Sequence, residues 1–114
     1  MERRRGTRYP VRLDCNLSLP DRPTASLSGQ TVNMSSCGVL VSFQADGPLP
    51  AKPKVGGLAR LVVELPQAPY FRGCWLDCKC RVVRVVKQTD AHLVALHVGR
   101  YWFRPSPESA SEDT

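Results

Sequence analysis

The sequence predicts an all-β domain of six short strands, built as a small barrel or a sandwich. Three observations carry this expectation. Apolar residues recur at every second position in several segments, the period of a strand with one buried face. Ten prolines and eight glycines in 114 residues punctuate the chain at short intervals. No segment carries the 3.6-residue apolar period of a core helix.

The first strand is the clearest. Val11, Leu13, Cys15, Leu17 and Leu19 alternate with Arg12, Asp14, Asn16 and Ser18. Ahead of it, residues 1–9 are polar, and Gly6 and Pro10 disfavour a helix there. Pro20-Asp21-Arg22-Pro23 is a turn, residues 28–32 form a second strand, and residues 33–38 break it. Val39, Val41 and Phe43 then mark a third strand. Residues 45–57 hold six glycine or proline positions in close succession and read as a loop. A fourth strand covers 58–65, followed by a hairpin connection over 66–73. Residues 74–86 suit a fifth strand whose apolar parity switches from Leu76, Cys78, Cys80 and Val82 to Val83 and Val85, so a bulge is expected near Val82-Val83. A sixth strand covers 93–98. The expected division is a flexible basic arm over 1–9, a β-domain over 10–103 and a disordered acidic tail over 104–114, with no internal repeat.

A chain of this size buries one core and has no room for a deep two-lobed active site. The net charge of +6 is uneven. Residues 1–12 hold Arg3, Arg4, Arg5, Arg8 and Arg12 against Glu2, whereas the remainder holds eleven basic and nine acidic side chains. A local cluster of this kind suits one or a few phosphates rather than a long polyanion. No apolar stretch reaches the length of a membrane span, and no leader-like segment follows the arginines. With five cysteines, an odd number, the expected setting is the reducing cytoplasm.

Two segments carry candidate chemistry. Arg4 and Arg8 in an extended arm stand about 13 Å apart at ~3.3 Å per residue. Arginine forks onto phosphate oxygens and also onto the O6/N7 edge of guanine. A solvated basic tail is the bland alternative. In Asn33-Met34-Ser35-Ser36-Cys37-Gly38, Asn33 offers an amide, Ser35 a hydroxyl, and Gly38 a position that allows positive φ and close backbone approach. The bland alternative here is a structural turn whose side chains bond their own backbone.

Together these segments resemble the PilZ domain family. The resemblance rests on Arg4 and Arg8 in an Arg-x-x-x-Arg arm and on Asn33, Ser35 and Gly38 in an Asn-x-Ser-x-x-Gly turn. The Glu-Arg-Arg-Arg start and the Arg81-Val82-Val83-Arg84-Val85 segment add to it. It implies a six-stranded antiparallel β-barrel without catalytic activity or cofactor, binding the bacterial second messenger cyclic di-GMP. The arm arginines would hold phosphate and guanine, and Asn33 and Ser35 would bond a guanine. Arg3 stands where relatives binding a stacked ligand pair carry an arginine, which implies up to two ligands per domain. Arg5 is a further candidate contact. The resemblance also implies a bacterial effector protein as downstream partner. Many relatives end in a helix after the last strand; here Tyr101-Trp102-Phe103 leads straight into the proline-containing tail, so little or no helix is expected. The exposed aromatics there would cover a barrel end or serve a partner. Competing readings are a PilZ-like interaction module without ligand and a basic barrel for single-stranded nucleic acid. The latter would want aromatics on an exposed basic strand face, and few occur in the early strands.

Other signals carry less. Cys74, Cys78 and Cys80, with His92 or His97, have partial zinc-ligand spacing, but Cys78 and Cys80 share the apolar parity and read as small core residues. Cys37 sits inside the candidate turn, where oxidation would interfere with ligand. Trp75 suits either core packing or base stacking. Neither histidine has a catalytic partner at a recognisable spacing.

Overall fold

A computed structural model describes residues 9–20, 22–44, 52–66 and 73–105. The arm residues Arg3, Arg4, Arg5 and Arg8, and the tail from residue 106, lie outside the described residues. Seven strands follow one another: β1 (Tyr9–Pro10), β2 (Asp14–Leu19), β3 (Arg22–Met34), β4 (Gly38–Gln44), β5 (Leu58–Glu64), β6 (Cys74–Lys87) and β7 (Ala91–Pro105). There is no helix among the described residues. All pairings are antiparallel. The order β3-β2-β5-β6-β7-β4 returns to β3 through the β3–β4 pairing, so six strands close a barrel, and β1 is added at the edge of β3.

The alternation in the sequence is the alternation of burial. Cys15, Leu17 and Leu19 on β2, Val39, Val41 and Phe43 on β4, and Ala59, Leu61 and Val63 on β5 all point inward. Leu27 of β3, Cys78, Cys80 and Val82 of β6, and Val94 and Leu96 of β7 complete the core. Each fully buried Leu or Val side chain contributes about 1.5–3 kcal/mol. On the outer face the β2–β3 hairpin is tied by polar pairs, Ser28 Oγ to Asn16 Oδ1 at 2.8 Å and Gln30 Nε2 to Asp14 Oδ1 at 3.2 Å. Gly29 is a close approach: a Cβ there would run into the Ser42 carbonyl oxygen and stand 2.6 Å from Cδ1 of Phe43.

Four elements differ from the sequence expectation, each for a local reason. The first strand is interrupted. Between Pro10 and Asp14 it uses one residue more than β3 does between Asn33 and Gln30. Thr31, fully buried, fills the irregularity: its hydroxyl accepts from the Leu13 N–H at 2.9 Å and donates to the Val11 carbonyl. The second strand is longer than residues 28–32, because Leu19 already pairs with Arg22 and the added stretch presents exposed polar residues such as Ser26 that carry no apolar signal. In β6 the pairing with β7 slips between Val82 and Arg84, where the parity switch placed a bulge, and again between Lys79 and Cys80. The last strand runs to Pro105 instead of Val98. Gly99 takes up the second slip and hides the continuation, since Tyr101 and Phe103 beyond it lie past the closed part of the barrel and stay exposed.

Candidate ligand-binding site

The Asn33–Gly38 segment is the β3–β4 hairpin connection. Ser35 N–H donates to the Gly38 carbonyl at 2.8 Å, and the Ser35 hydroxyl accepts from the Gly38 N–H at 3.1 Å and the Cys37 N–H at 3.4 Å. The Cys37 carbonyl accepts from Val98 N–H at 3.0 Å, which fastens the turn to β7. Ser35 thus performs the local backbone role that its residue type favours in turns. Gly38 corrects one expectation. Among the described residues only Gly56 has positive φ, at 86°, so Gly38 is not there for a left-handed conformation. It is there for proximity: a Cβ would stand 3.3 Å from the Leu96 carbonyl oxygen and 3.8 Å from Ser35 Oγ.

Asn33 differs from Ser35. It pairs with Leu40 on one side and Pro10 on the other, on the outer face opposite the buried Val39 and Val41. Its Oδ1 is buried and has no hydrogen-bond partner among the described residues. An unmatched buried acceptor costs about 1–3 kcal/mol, which a donor arriving from a ligand would recover. The arm meets this point. Tyr9 pairs with Met34 and Pro10 with Asn33, and Arg8 is the next residue along the chain.

Register adds residues that sequence spacing alone did not find. Gly38 pairs with His97, and His97 with Arg81; both side chains are exposed on the outer face. Arg81 Nη1 donates to the Gly56 carbonyl at 2.6 Å. Further along, the outer face carries Trp75, Asp77 and Lys79 of β6 beside Arg60 of β5 and Arg100, Trp102 and Arg104 of β7. Asp77 is 1% exposed. Arg60 grips it through Nε on Oδ1 at 2.9 Å and Nη2 on Oδ2, and Arg104 Nε lies 3.5 Å from Oδ2. These hydrogen bonds hold the Asp77 carboxyl below its usual range against the opposing effect of burial, and raise Arg60. Arg104 lies 5.2 Å over the Trp75 ring and Lys79 6.0 Å over that of Trp102.

The cysteines are distributed between core and surface. None of the five is in a disulfide. Burial, with help from Asp14, pushes the Cys15 thiol up to about 12. Cys80 is raised by its bond with Cys78 and then by burial. No group of three potential metal ligands is present among the described residues. A recess of about 570 Å³ bordered by Arg12, Gln30, Ser42, Gln44 and Asp90 lies on a different stretch of β3 and β4 and includes neither Asn33, Ser35 nor Gly38.

A barrel of this topology, with Tyr9–Pro10 paired beside an Asn-x-Ser-x-x-Gly hairpin, matches the family model of the PilZ domain over residues 2–111. The chain belongs to the PilZ domain family. This PilZ match spans the arm as well as the barrel, so all of the candidate residues fall inside it. Among solved structures it is similar to the Bacillus subtilis Inhibitor of motility (MotI/DgrA), with a TM-score of 0.71 and 18% identity. The alignment covers 97% of this chain and 48% of that one, so the chain spans about half the length of that relative. At that identity the likeness speaks for the fold. No protein of curated function matches the sequence. PilZ domains are in general non-catalytic binding domains, and cyclic di-GMP is the ligand for which the family is known. No helix among the described residues of this PilZ domain is long and apolar enough to cross a membrane.

Proposed function

We propose that this PilZ domain is a non-catalytic cytoplasmic receptor for cyclic di-GMP, bound between the N-terminal arm and the β3–β4 turn. Arg4 and Arg8 would engage phosphate and guanine, Arg5 would add a contact, and Arg3 would admit a second, stacked ligand. Asn33 would bond guanine, with Ser35 and Gly38 shaping the turn beneath it. The observation that carries this reading is the buried Asn33 Oδ1, without a partner among the described residues, beside Tyr9–Pro10 where the chain pairs with β3. Guanine offers the complementary amino donor, while the phosphates of the cyclic dinucleotide answer the arginines. Binding would order the arm over the ligand and change the surface offered to a bacterial effector protein.

Titration calorimetry with cyclic di-GMP tests the assignment. The wild-type chain should bind, Arg4→Ala and Arg8→Ala should abolish binding with unchanged circular dichroism, and Arg3→Ala should reduce the ligand count from two to one. Wild-type affinity in both Arg4→Ala and Arg8→Ala would overturn it.

A further inference from the structure

The far end of β7 is an open strand edge among the described residues. On one side β7 pairs with β6 along its whole length, from His92 with Lys87 to Pro105 with Cys74. On the other side its pairing with β4 stops at His97 with Gly38. Residues 99–105 therefore have, among the described residues, no neighbour on that side. An edge of this length presents a row of backbone donors and acceptors ready for another strand.

The two faces of this edge differ in chemistry. Arg100, Trp102 and Arg104 pair with Lys79, Asp77 and Trp75 and share the outer face. Tyr101 and Phe103 pair with Cys78 and Leu76 and share the opposite face. They are 55% and 63% exposed, with their rings edge-on at 6.3 Å and 83°. On the outer face Arg60, Lys79, Arg100 and Arg104 stand against two carboxylates. Asp77 is buried and held by Arg60, and Glu64 lies at the margin opposite Trp75. The face is therefore positive to anything approaching from solvent.

We propose that the β7 edge over residues 99–105 docks an extended segment of a partner protein in which acidic and apolar side chains alternate. Side chains of an added strand point alternately to the two faces. Apolar ones would meet Tyr101 and Phe103, and acidic ones would meet Arg100 and Arg104 across the strand. A second copy of this edge offers no acidic partner to these arginines, and the register that matches the whole edge is the worst. Arg100-Tyr101-Trp102-Phe103-Arg104 has the same pattern in both directions, so antiparallel self-pairing about Trp102 sets Arg100 against Arg104 of the other copy. The chain's own arm is arginine-rich and no better matched. This site goes beyond the cyclic di-GMP reading and uses none of its residues.

The test is fluorescence anisotropy on the full chain without nucleotide, so that its failure leaves the ligand assignment untouched. The probe is a labelled peptide of alternating glutamate and valine, about as long as the edge at ~3.3 Å per residue. Saturable binding is expected, weakened about tenfold or more by Arg100→Glu. Arg100 is an exposed residue, and retained thermal stability of the variant would show that the barrel is intact. Phe103→Ser should weaken binding as well. Equal binding by Arg100→Glu, or equal binding of a lysine–valine peptide, would overturn the proposal. So would displacement of the peptide by an equimolar thymidine oligonucleotide, which would assign the face to nucleic acid. Binding that emerges only when residues 106–114 are removed would assign the edge to the chain's own acidic tail and likewise overturn it.

Discussion

Asn33 and Ser35 stand two residues apart in one motif and do different physical work. The Ser35 hydroxyl is spent on the N–H groups of Cys37 and Gly38, while Asn33 Oδ1 is buried and has no partner among the described residues. Their alanine variants should therefore separate folding from binding. Ser35→Ala should lower the free energy of unfolding by about 0.5–1.5 kcal/mol, the net value of the lost bonds. Asn33→Ala removes the unmatched acceptor and should leave the fold at least as stable as wild type yet weaken cyclic di-GMP by about tenfold or more. Urea denaturation and calorimetry on the same samples check both, and a destabilised Asn33→Ala with full affinity would reverse the roles. Gly38 teaches a related point: its residue type was informative, but the reason is the Leu96 carbonyl beside it, which lies far away in sequence.

Among the elements, β5, β6 and β7 form the most heavily braced part of the described barrel. The Asp77 carboxylate receives both arms of Arg60 and lies close to Arg104, and these interactions lower its pKa in the folded state. A lowered folded pKa means that the stabilisation is fully present above the unfolded value, ~3.9 for aspartate, and is lost as pH falls through the folded value. Wild-type stability should therefore decline on acidification into that range. Asp77→Asn should be less stable at neutral pH by about 1–3 kcal/mol, toward the lower end because Arg60 is half exposed. Its stability should also fall less steeply with acid. Urea midpoints measured from neutral pH down to about pH 3 check this; parallel curves for the two proteins would remove Asp77 from the account.

For the whole molecule, charge is placed rather than spread. Residues 1–12 carry five of the sixteen basic side chains and only one acidic one. If the arm closes on a doubly anionic ligand, affinity for cyclic di-GMP should fall as salt rises from about 0.05 to 0.5 M, over which the Debye length shrinks to a few ångströms. The Arg5→Ala chain, which lacks one arm charge, should show a shallower dependence. Calorimetry across a salt series checks it, and an affinity independent of salt would count against an arm-based clamp.

The sequence by itself determined the all-β class, the inward faces of β2, β4 and β5, the bulge at Val82-Val83 and the hairpin position of Asn33–Gly38. These follow from period-two alternation and turn chemistry, which are local. With the family resemblance it also determined the number of barrel strands. Only the tertiary structure decided that Thr31 bridges the interrupted first strand, that Asn33 Oδ1 is left without a partner among the described residues, and that His97 and Arg81 stand beside Gly38. It alone decided that β7 continues to Pro105 with an edge left open among the described residues, and that Trp75, Trp102 and four cations share one face around Asp77. Those features depend on the register between strands distant in the chain. Alternation states which way a side chain points, but not which side chain it will face.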